Sequence, residues 1–458
     1  MTDTVTTINP ANEQTLNTYN LLSLQQAQSE VDQCHQAFLK WRTTSHEQRA
    51  KLLNQLAQVI ESNQQELAQL MTDEMGKLYQ QGLQEVELCA AICRYTAEQG
   101  PQVLADESRD MQDGRAIISY QPIGVVLGIQ PWNFPLYQVI RYACANIMAG
   151  NTTVLKHAGN VFGMAEKIEQ LFIQAGFDDY CFKNLLIDGK TASKLIEHSA
   201  IRGVTFTGSD ETGKKVAELA GKQVKKTVLE LGSNDAYVVL DDADLNTAIT
   251  ACTQGRLINN GQTCVAAKRF IVVDALYDDF KALIKEQFEQ VVLGDPNDEK
   301  TTLGPMARKD LRDKLHQQVT DSVNAGASIV TGGKVAEHTG FYYTPTLLEN
   351  IKPGMPAYDD ELFGPVASLI RAKDNDEAMQ IANDSRYGLG GGIFSKDEQA
   401  AIELAKHHFD TGMVNINGYG LAQPNLPFGG VKDSGYGREH GGFGLREFVN
   451  IKTIMIND

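Results

Sequence analysis

The amino-acid sequence predicts an α/β protein of two or three domains, with parallel sheets covered by helices. Three observations predict it. At 458 residues the chain is too long for one ordinary hydrophobic core. Strand-like and helical patterns alternate along most of its length, the order that parallel strands with helical crossovers require. Hydrophobic residues make up 42% and charged residues 22%, the balance of a soluble globular protein.

The first clear element is a helix over residues 52–71. Leu52, Leu53, Leu56, Val59, Ile60, Leu67 and Leu70 recur there at helical spacing, and Gly76 follows as a stop. Residues 116–129 read as strands, with Ile117, Ile118, Tyr120, Val125, Val126 and Leu127 in a run punctuated by glycine and proline. A helix follows over 136–148. Residues 152–155 are strand-like, 165–175 helical up to Gly176, 203–206 strand-like, 214–219 helical and 227–231 strand-like. The second half repeats the alternation, with strands at 270–273, 368–372 and 392–394 and helices at 276–288, 376–382 and 399–407. No fixed-period repeat, low-complexity tract or compositional linker is visible.

The net charge of −17 argues against nucleic acid or an anionic membrane as a main partner. The 7 cysteines are odd in number and dilute. Cys89 and Cys93 have i, i+4 spacing but no neighbours of metal-ligand type, so reduced, mostly packing thiols and no metal site are expected. The N-terminus is polar, without a basic or apolar leader region, and no run approaches a membrane span. A cytoplasmic protein is expected.

Three short segments carry chemistry. Cys264 ends Asn260-Gly261-Gln262-Thr263-Cys264, a polar turn ill suited to core packing. A nucleophilic thiol needs such a place and a nearby proton acceptor. Glu230, in Leu229-Glu230-Leu231-Gly232, ends an apolar strand-like run, where burial raises a carboxylate towards the range of a general base. Asn133, in Pro131-Trp132-Asn133-Phe134-Pro135, is an amide on a backbone stiffened by two prolines. Each has a plainer reading: a structural thiol, a salt-bridged strand end, and a cap on the helix that follows. Phe206-Thr207-Gly208-Ser209 reads as a strand running into a helix start with Gly213 in its first turn, a place where free N–H groups accept phosphate. Gly435-Tyr436-Gly437, followed by Gly441 and Gly442, has the wrong spacing for a dinucleotide fingerprint and reads as a C-terminal turn.

These segments, together with Leu155-Lys156, Glu361-Leu362-Phe363-Gly364-Pro365 and Pro427-Phe428-Gly429-Gly430, resemble in sequence and order the signature motifs of the aldehyde dehydrogenase superfamily. The likeness covers nearly the whole chain, and its details resemble most the short bacterial succinate-semialdehyde dehydrogenases. It implies a Rossmann-like nucleotide-binding domain (1–112 and 123–231), an α/β catalytic domain (232–445) and a small β oligomerisation element (113–122 and 446–458). In that element residues 113–122 would pair with 449–456. Its edge strand would be left open in a monomer, so a homodimer or homotetramer is expected.

The resemblance also implies an activity, the NAD(P)-dependent oxidation of succinate semialdehyde to succinate. The Cys264 thiolate would attack the aldehyde, Asn133 and the Cys264 N–H would hold the developing alkoxide, and Glu230 would activate the water that hydrolyses the thioester. The cofactor would be NADP or NAD. Gly208, Ser209 and the helix start would meet its pyrophosphate, Lys156 its adenosine ribose and Glu361 its nicotinamide ribose. Phe363 would wall the nicotinamide, and Ile129 and Trp132 would complete the cofactor site.

The sequence departs from relatives at several places. Gly159 stands where NAD-preferring relatives often have a ribose-binding glutamate, which leaves Lys156 able to meet a 2′-phosphate. His157 beside it either assists or packs. Ser233 replaces a second glycine near the site. Ala266 stands where some relatives have a second cysteine, so no local disulfide is expected. Ile258 stands where some have a second arginine, with Arg256 a reserve. Arg141 lies eight residues after Asn133 on the predicted helix, a rise of roughly 12 Å, and its planar fork suits the far carboxylate of a short semialdehyde. The alternative is an arginine paired with a nearby acid for structure. Two other functions remain: a broad-specificity or other semialdehyde dehydrogenase, and a catalytically silent protein on the same scaffold.

Overall fold

The computed structural model describes residues 3–457. Two large sheets organise the chain. The first has six strands in the order Gly435–Tyr436, Lys226–Glu230, Ile201–Thr207, Val125–Ile129, Thr152–Lys156 and Phe182–Asn184. All its pairings are parallel except that of Gly435–Tyr436. The chain moves outward from Val125–Ile129 to one edge, then returns to the other side at Ile201–Thr207. That reversal opens a crevice beyond the carboxyl ends of the two central strands, where ligands bind in sheets of this kind. Ile129 lies beside Lys156 and Phe206, and Thr207 beside Glu230, so five predicted or neighbouring site positions share that rim.

The second sheet has seven strands, in the order Ser328–Thr331, Thr346–Glu349, Val366–Ala372, Arg269–Val273, Ala236–Val239, Gly391–Phe394 and Asn415–Ile416. Only its first strand runs antiparallel. The central strands are buried on both faces and read as unbroken apolar runs, as parallel strands under helices should. Helices Leu245–Leu257 and Asp274–Glu289 cover one face with Ile249, Phe280 and Ile284.

A third, three-stranded sheet pairs Val449–Ile456 with Gly114–Pro122, and that strand with Glu107–Met111. The expected pairing of 113–122 with 449–456 is therefore present. The third strand escaped prediction because Glu-Ser-Arg-Asp-Met has no apolar alternation. Ile451 and Met455 on the outer strand are 61% and 65% exposed.

Two predictions are corrected. The single helix over 52–71 is two helices, His46–Ser62 and Gln64–Met75. Asn63 breaks them, its side-chain amide donating to the Val59 carbonyl at 2.8 Å in competition with the helix ladder. The stop at Gly76 is real: its φ of 75° is the left-handed cap that ends the second helix. The supposed turn at Gly435-Tyr436-Gly437 is a short edge strand bonded to Leu229 and Glu230, so it braces the strand that ends in Glu230.

Candidate active site

Cys264 follows a strained turn. Asn259, Asn260 and Gly261 all have positive φ, of 53°, 56° and 75°. Asparagine tolerates this region because its side chain can bond locally, and here both amides are used. Asn260 donates to the Gly76 and Pro305 carbonyls at 2.7 and 3.0 Å and accepts from the Gly304 N–H at 2.8 Å. Asn259 donates to the Asn133 carbonyl at 2.8 Å. A side chain at Gly261 would meet the Gly364 carbonyl oxygen at 2.5 Å, so only glycine fits beneath that backbone. Arg256, fully buried, donates to the Gly261 carbonyl and so braces the turn from behind.

Asn133 is buried, and its side-chain amide donates to the Gln262 carbonyl at 3.1 Å. It does not cap the following helix Tyr137–Ala149. Glu85 takes that role, accepting the Leu136 and Tyr137 N–H groups at 3.0 and 2.9 Å. Glu85 in turn pairs with buried Lys77, whose ammonium lies 3.9 Å from the Phe134 ring centre. The Asn133 segment and the Cys264 turn are thereby stitched to each other and to one rigid helix.

Glu230 is 2% exposed, and neither carboxylate oxygen has a hydrogen-bond partner among the described residues. Burial raises it well above the usual carboxylate range; Arg141 pulls the other way and Glu439 adds to the rise. Burial likewise pushes the Cys264 thiol up to about 12, with Lys268 and then Arg141 pulling against it. Cys264 is half-buried, whereas the other six cysteines are buried, and none of the seven is in a disulfide.

Cys264, Glu230 and Asn133 line one cavity of about 440 Å³. So do Trp132, Gly208, Ser209, Glu361 and Phe363. Ser209 is the N-cap of helix Asp210–Lys222, with its hydroxyl accepting from the Thr212 N–H at 3.4 Å. Arg386 pairs with Asp210, which offsets an acid in the first turn of that helix. Trp132 and Phe363 meet edge to face at 5.8 Å. Glu361 accepts from Lys268 at 2.9 Å and from the Ser233 N–H at 3.1 Å. Ile129, Lys156 and Gly159 stand outside this wall, along the same strand ends: Lys156 closes its strand, and Gly159 begins the short turn after it. These groups suit a dinucleotide: free N–H groups at a helix start, an aromatic wall and a carboxylate able to meet a hydroxyl. His157 is a packing residue. It is buried, its ring bonds the Gln130 and Pro135 carbonyls at 3.3 and 2.9 Å, and burial lowers it to about 4. The Ser233 hydroxyl donates to Asp235 and adds no group to the cavity wall.

Arg141 stands apart from the expectation. Its side chain is fully buried and pairs with Glu439. It also donates to the Thr207 hydroxyl at 3.0 Å and the Tyr137 hydroxyl at 3.4 Å, between the Tyr137 and Phe428 rings. Burial opposes its charge, yet Glu439 beside it holds the cation firmly protonated. It lines neither the cavity nor a second, narrow channel that also reaches Cys264. Its fork is engaged by Glu439, Thr207 and Tyr137, the arrangement that the alternative read from the sequence, an arginine paired with a nearby acid, describes. The sequence reading missed Glu439, Lys268 and the Lys77–Glu85 pair. Lys268 was within reach of it, four residues after Cys264; its ammonium donates to the Cys264 carbonyl.

The Aldehyde dehydrogenase family matches the chain over residues 1–454. A Deinococcus radiodurans protein named succinate-semialdehyde dehydrogenase [NADP(+)] is 43% identical over 448 residues, covering 98% of this chain and 94% of its own. The crystal structure of succinic semialdehyde dehydrogenase from Streptococcus pyogenes, in complex with NADP+, superposes with a TM-score of 0.97 at 38% identity, covering 99% of this chain and 100% of that one. An aldehyde dehydrogenase from Bacillus cereus in complex with NAD+ superposes with a TM-score of 0.97 at 30% identity, covering 99% and 93%. With a family match of this extent, over the fold and site just described, the chain belongs to the aldehyde dehydrogenase family.

Proposed function

We propose that this enzyme oxidises succinate semialdehyde to succinate with NADP, through Cys264. One observation carries the reading. Cys264 stands between the cavity rimmed by the helix start at Ser209 and a second, narrow channel, with buried, unpartnered Glu230 on the cavity side. A thiol open to two spaces can meet a substrate from one and a cofactor from the other. The names of the Deinococcus and Streptococcus relatives support the substrate and cofactor. Gly159 supports NADP, since no carboxylate there opposes a 2′-phosphate near Lys156.

In this reading the Cys264 sulfur bonds to the aldehyde carbon while the thiol loses its proton to cavity water. The Asn133 amide and the Cys264 N–H hold the alkoxide; one such donor contributes about 2.7–4 kcal/mol to lowering a barrier. A nicotinamide held at this site would supply the acceptor for the hydride that leaves the carbon. A thioester then remains on Cys264. Glu230 takes a proton from water, which adds to the thioester carbon and releases the acid and the free thiol. Ser209 and the helix start behind it, with Lys156, Glu361 and Phe363, hold and orient the cofactor.

A second reading is a dehydrogenase of broader aldehydes. The channel walls favour it, for Leu88, Phe134, Val265, Leu421 and Phe428 are apolar and Arg141 is withdrawn. Formation of reduced cofactor with succinate semialdehyde, glutarate semialdehyde and butanal separates the two, with Cys264→Ala as the inactive control. The highest kcat/KM is expected for succinate semialdehyde with NADP; equal values for butanal would favour the broader reading. We also assign the six-stranded unit to the cofactor and the seven-stranded unit to the cysteine. The exposed apolar strand Val449–Ile456 is proposed to join copies of the chain into a dimer or tetramer, and the compartment is proposed to be the cytoplasm. No helix among the described residues is long and apolar enough to cross a membrane.

A further inference from the structure

We infer that Gln138 contacts the substrate and sets the preference for an aldehyde with a carboxylate tail. This rests on the proposed aldehyde oxidation at Cys264. Gln138 lies in the first turn of helix Tyr137–Ala149 and is 1% exposed. It borders both the cavity and the narrow channel, as Cys264 does. Its amide oxygen is buried with no hydrogen-bond partner among the described residues. A buried amide oxygen without a partner costs free energy unless the amide turns or a ligand changes its surroundings.

The other polar groups at the channel are taken. The Tyr137 hydroxyl meets the His440 ring at 3.0 Å, and the Thr263 hydroxyl donates to the Ile258 carbonyl at 3.4 Å. Arg141, one turn along from Gln138, is held by Glu439 and Thr207. The channel is also tight, with about 20 Å³ of space, so a tail is held at its mouth, which Gln138 shares with the cavity. Turning the Gln138 amide presents two N–H donors to a carboxylate without the cost of burying another cation. Glutamine can thus do at the neck what Arg141 is not free to do.

The test is kcat/KM for succinate semialdehyde divided by that for butanal, at saturating NADP, in wild type, Gln138→Met and Gln138→Glu. Methionine keeps the length and removes both donors and acceptor. The ratio should fall about tenfold to a hundredfold in Gln138→Met, the loss expected for a hydrogen bond to a charged group. It should fall further in Gln138→Glu, where the carboxylate repels the tail. Alkylation of Cys264 by iodoacetamide reports on the integrity of the site in each variant; if the glutamate form does not fold, the methionine form decides. An unchanged ratio in an active Gln138→Met enzyme would overturn this inference alone. A wild-type protein that oxidises no aldehyde would overturn the aldehyde reading and the inference with it.

Discussion

Replacing Arg141 by methionine separates the two roles open to it, structural ion pair and carboxylate clamp. The side chains of Arg141 and Glu439 are 0% and 7% exposed, so the pair is dry. Removing one partner of a buried ion pair costs about 3–5 kcal/mol, because the other charge is left uncompensated. Here the remaining carboxylate also faces Glu230, itself buried and raised. The bonds to Thr207 and Tyr137 go too, which places the loss at the upper end of that range. The assay is denaturant or thermal unfolding of Arg141→Met and of Arg141→Met combined with Glu439→Gln. The single variant should be strongly destabilised, and the double variant should recover much of the loss, since it no longer buries an unpaired charge. Arg141 also pulls the Cys264 thiol and Glu230 downward, so its loss favours their neutral forms and moves the rising limb of the pH–rate profile to higher pH. A single variant as stable as wild type, with KM raised for succinate semialdehyde but not for butanal, would refute this reasoning and restore Arg141 as the carboxylate clamp.

Three further outcomes are expected. Glu230→Gln should give a burst of reduced cofactor and then a slow steady state, because thioester hydrolysis fails more than hydride transfer; equal loss of both phases would remove Glu230 as the hydrolytic base. Lys268→Met should push the Cys264 thiol further up and slow its alkylation by iodoacetamide at moderately alkaline pH, with the profile displaced upward; an unchanged alkylation profile would show that the ammonium does not act on the sulfur. Gly159→Glu should shift preference from NADP towards NAD by placing a carboxylate beside Lys156. A Cβ there meets Val5 at 3.3 Å, an adjustment of a few tenths of an ångström, so the variant should fold, and an unaltered NADP-to-NAD ratio would count against the ribose assignment.

Local pattern made legible whatever depends on near neighbours in sequence. The stop at Gly76 and the helix start after Gly208-Ser209 are local conformational demands, and both are present. The Cys264 turn could be singled out by its polar flank, although Asn259, Asn260, Gln262 and Thr263 prove to be buried and not, as polarity suggested, outside the core. What stayed hidden depends on partners far along the chain. Nothing near Arg141 announces Glu439, and nothing near the Asn133 segment announces that Glu85 caps its helix. Hydrophobic spacing also carried the predicted helix straight through Asn63, because the apolar residues keep their period while one amide interrupts the backbone.

The distribution of charge around Cys264 explains why a carboxylate-bearing substrate need not call for an arginine. On the cavity side, Lys314 stands in the wall, Arg386 offsets Asp210, and the helix start at Ser209 adds its free N–H groups, a setting for a polyanionic cofactor. On the channel side, no lysine or arginine lines the wall among the described residues. The two cations nearest the sulfur are spent, Lys268 on Glu361 and Arg141 on Glu439. A free cation in the channel would attract the anionic tail, but it would also bind the product carboxylate and compete for Glu230, the group proposed to activate water. Neutral donors avoid both conflicts. They hold an anion through hydrogen bonds that are lost at modest cost when product leaves, and they leave the raised pKa of Glu230 undisturbed.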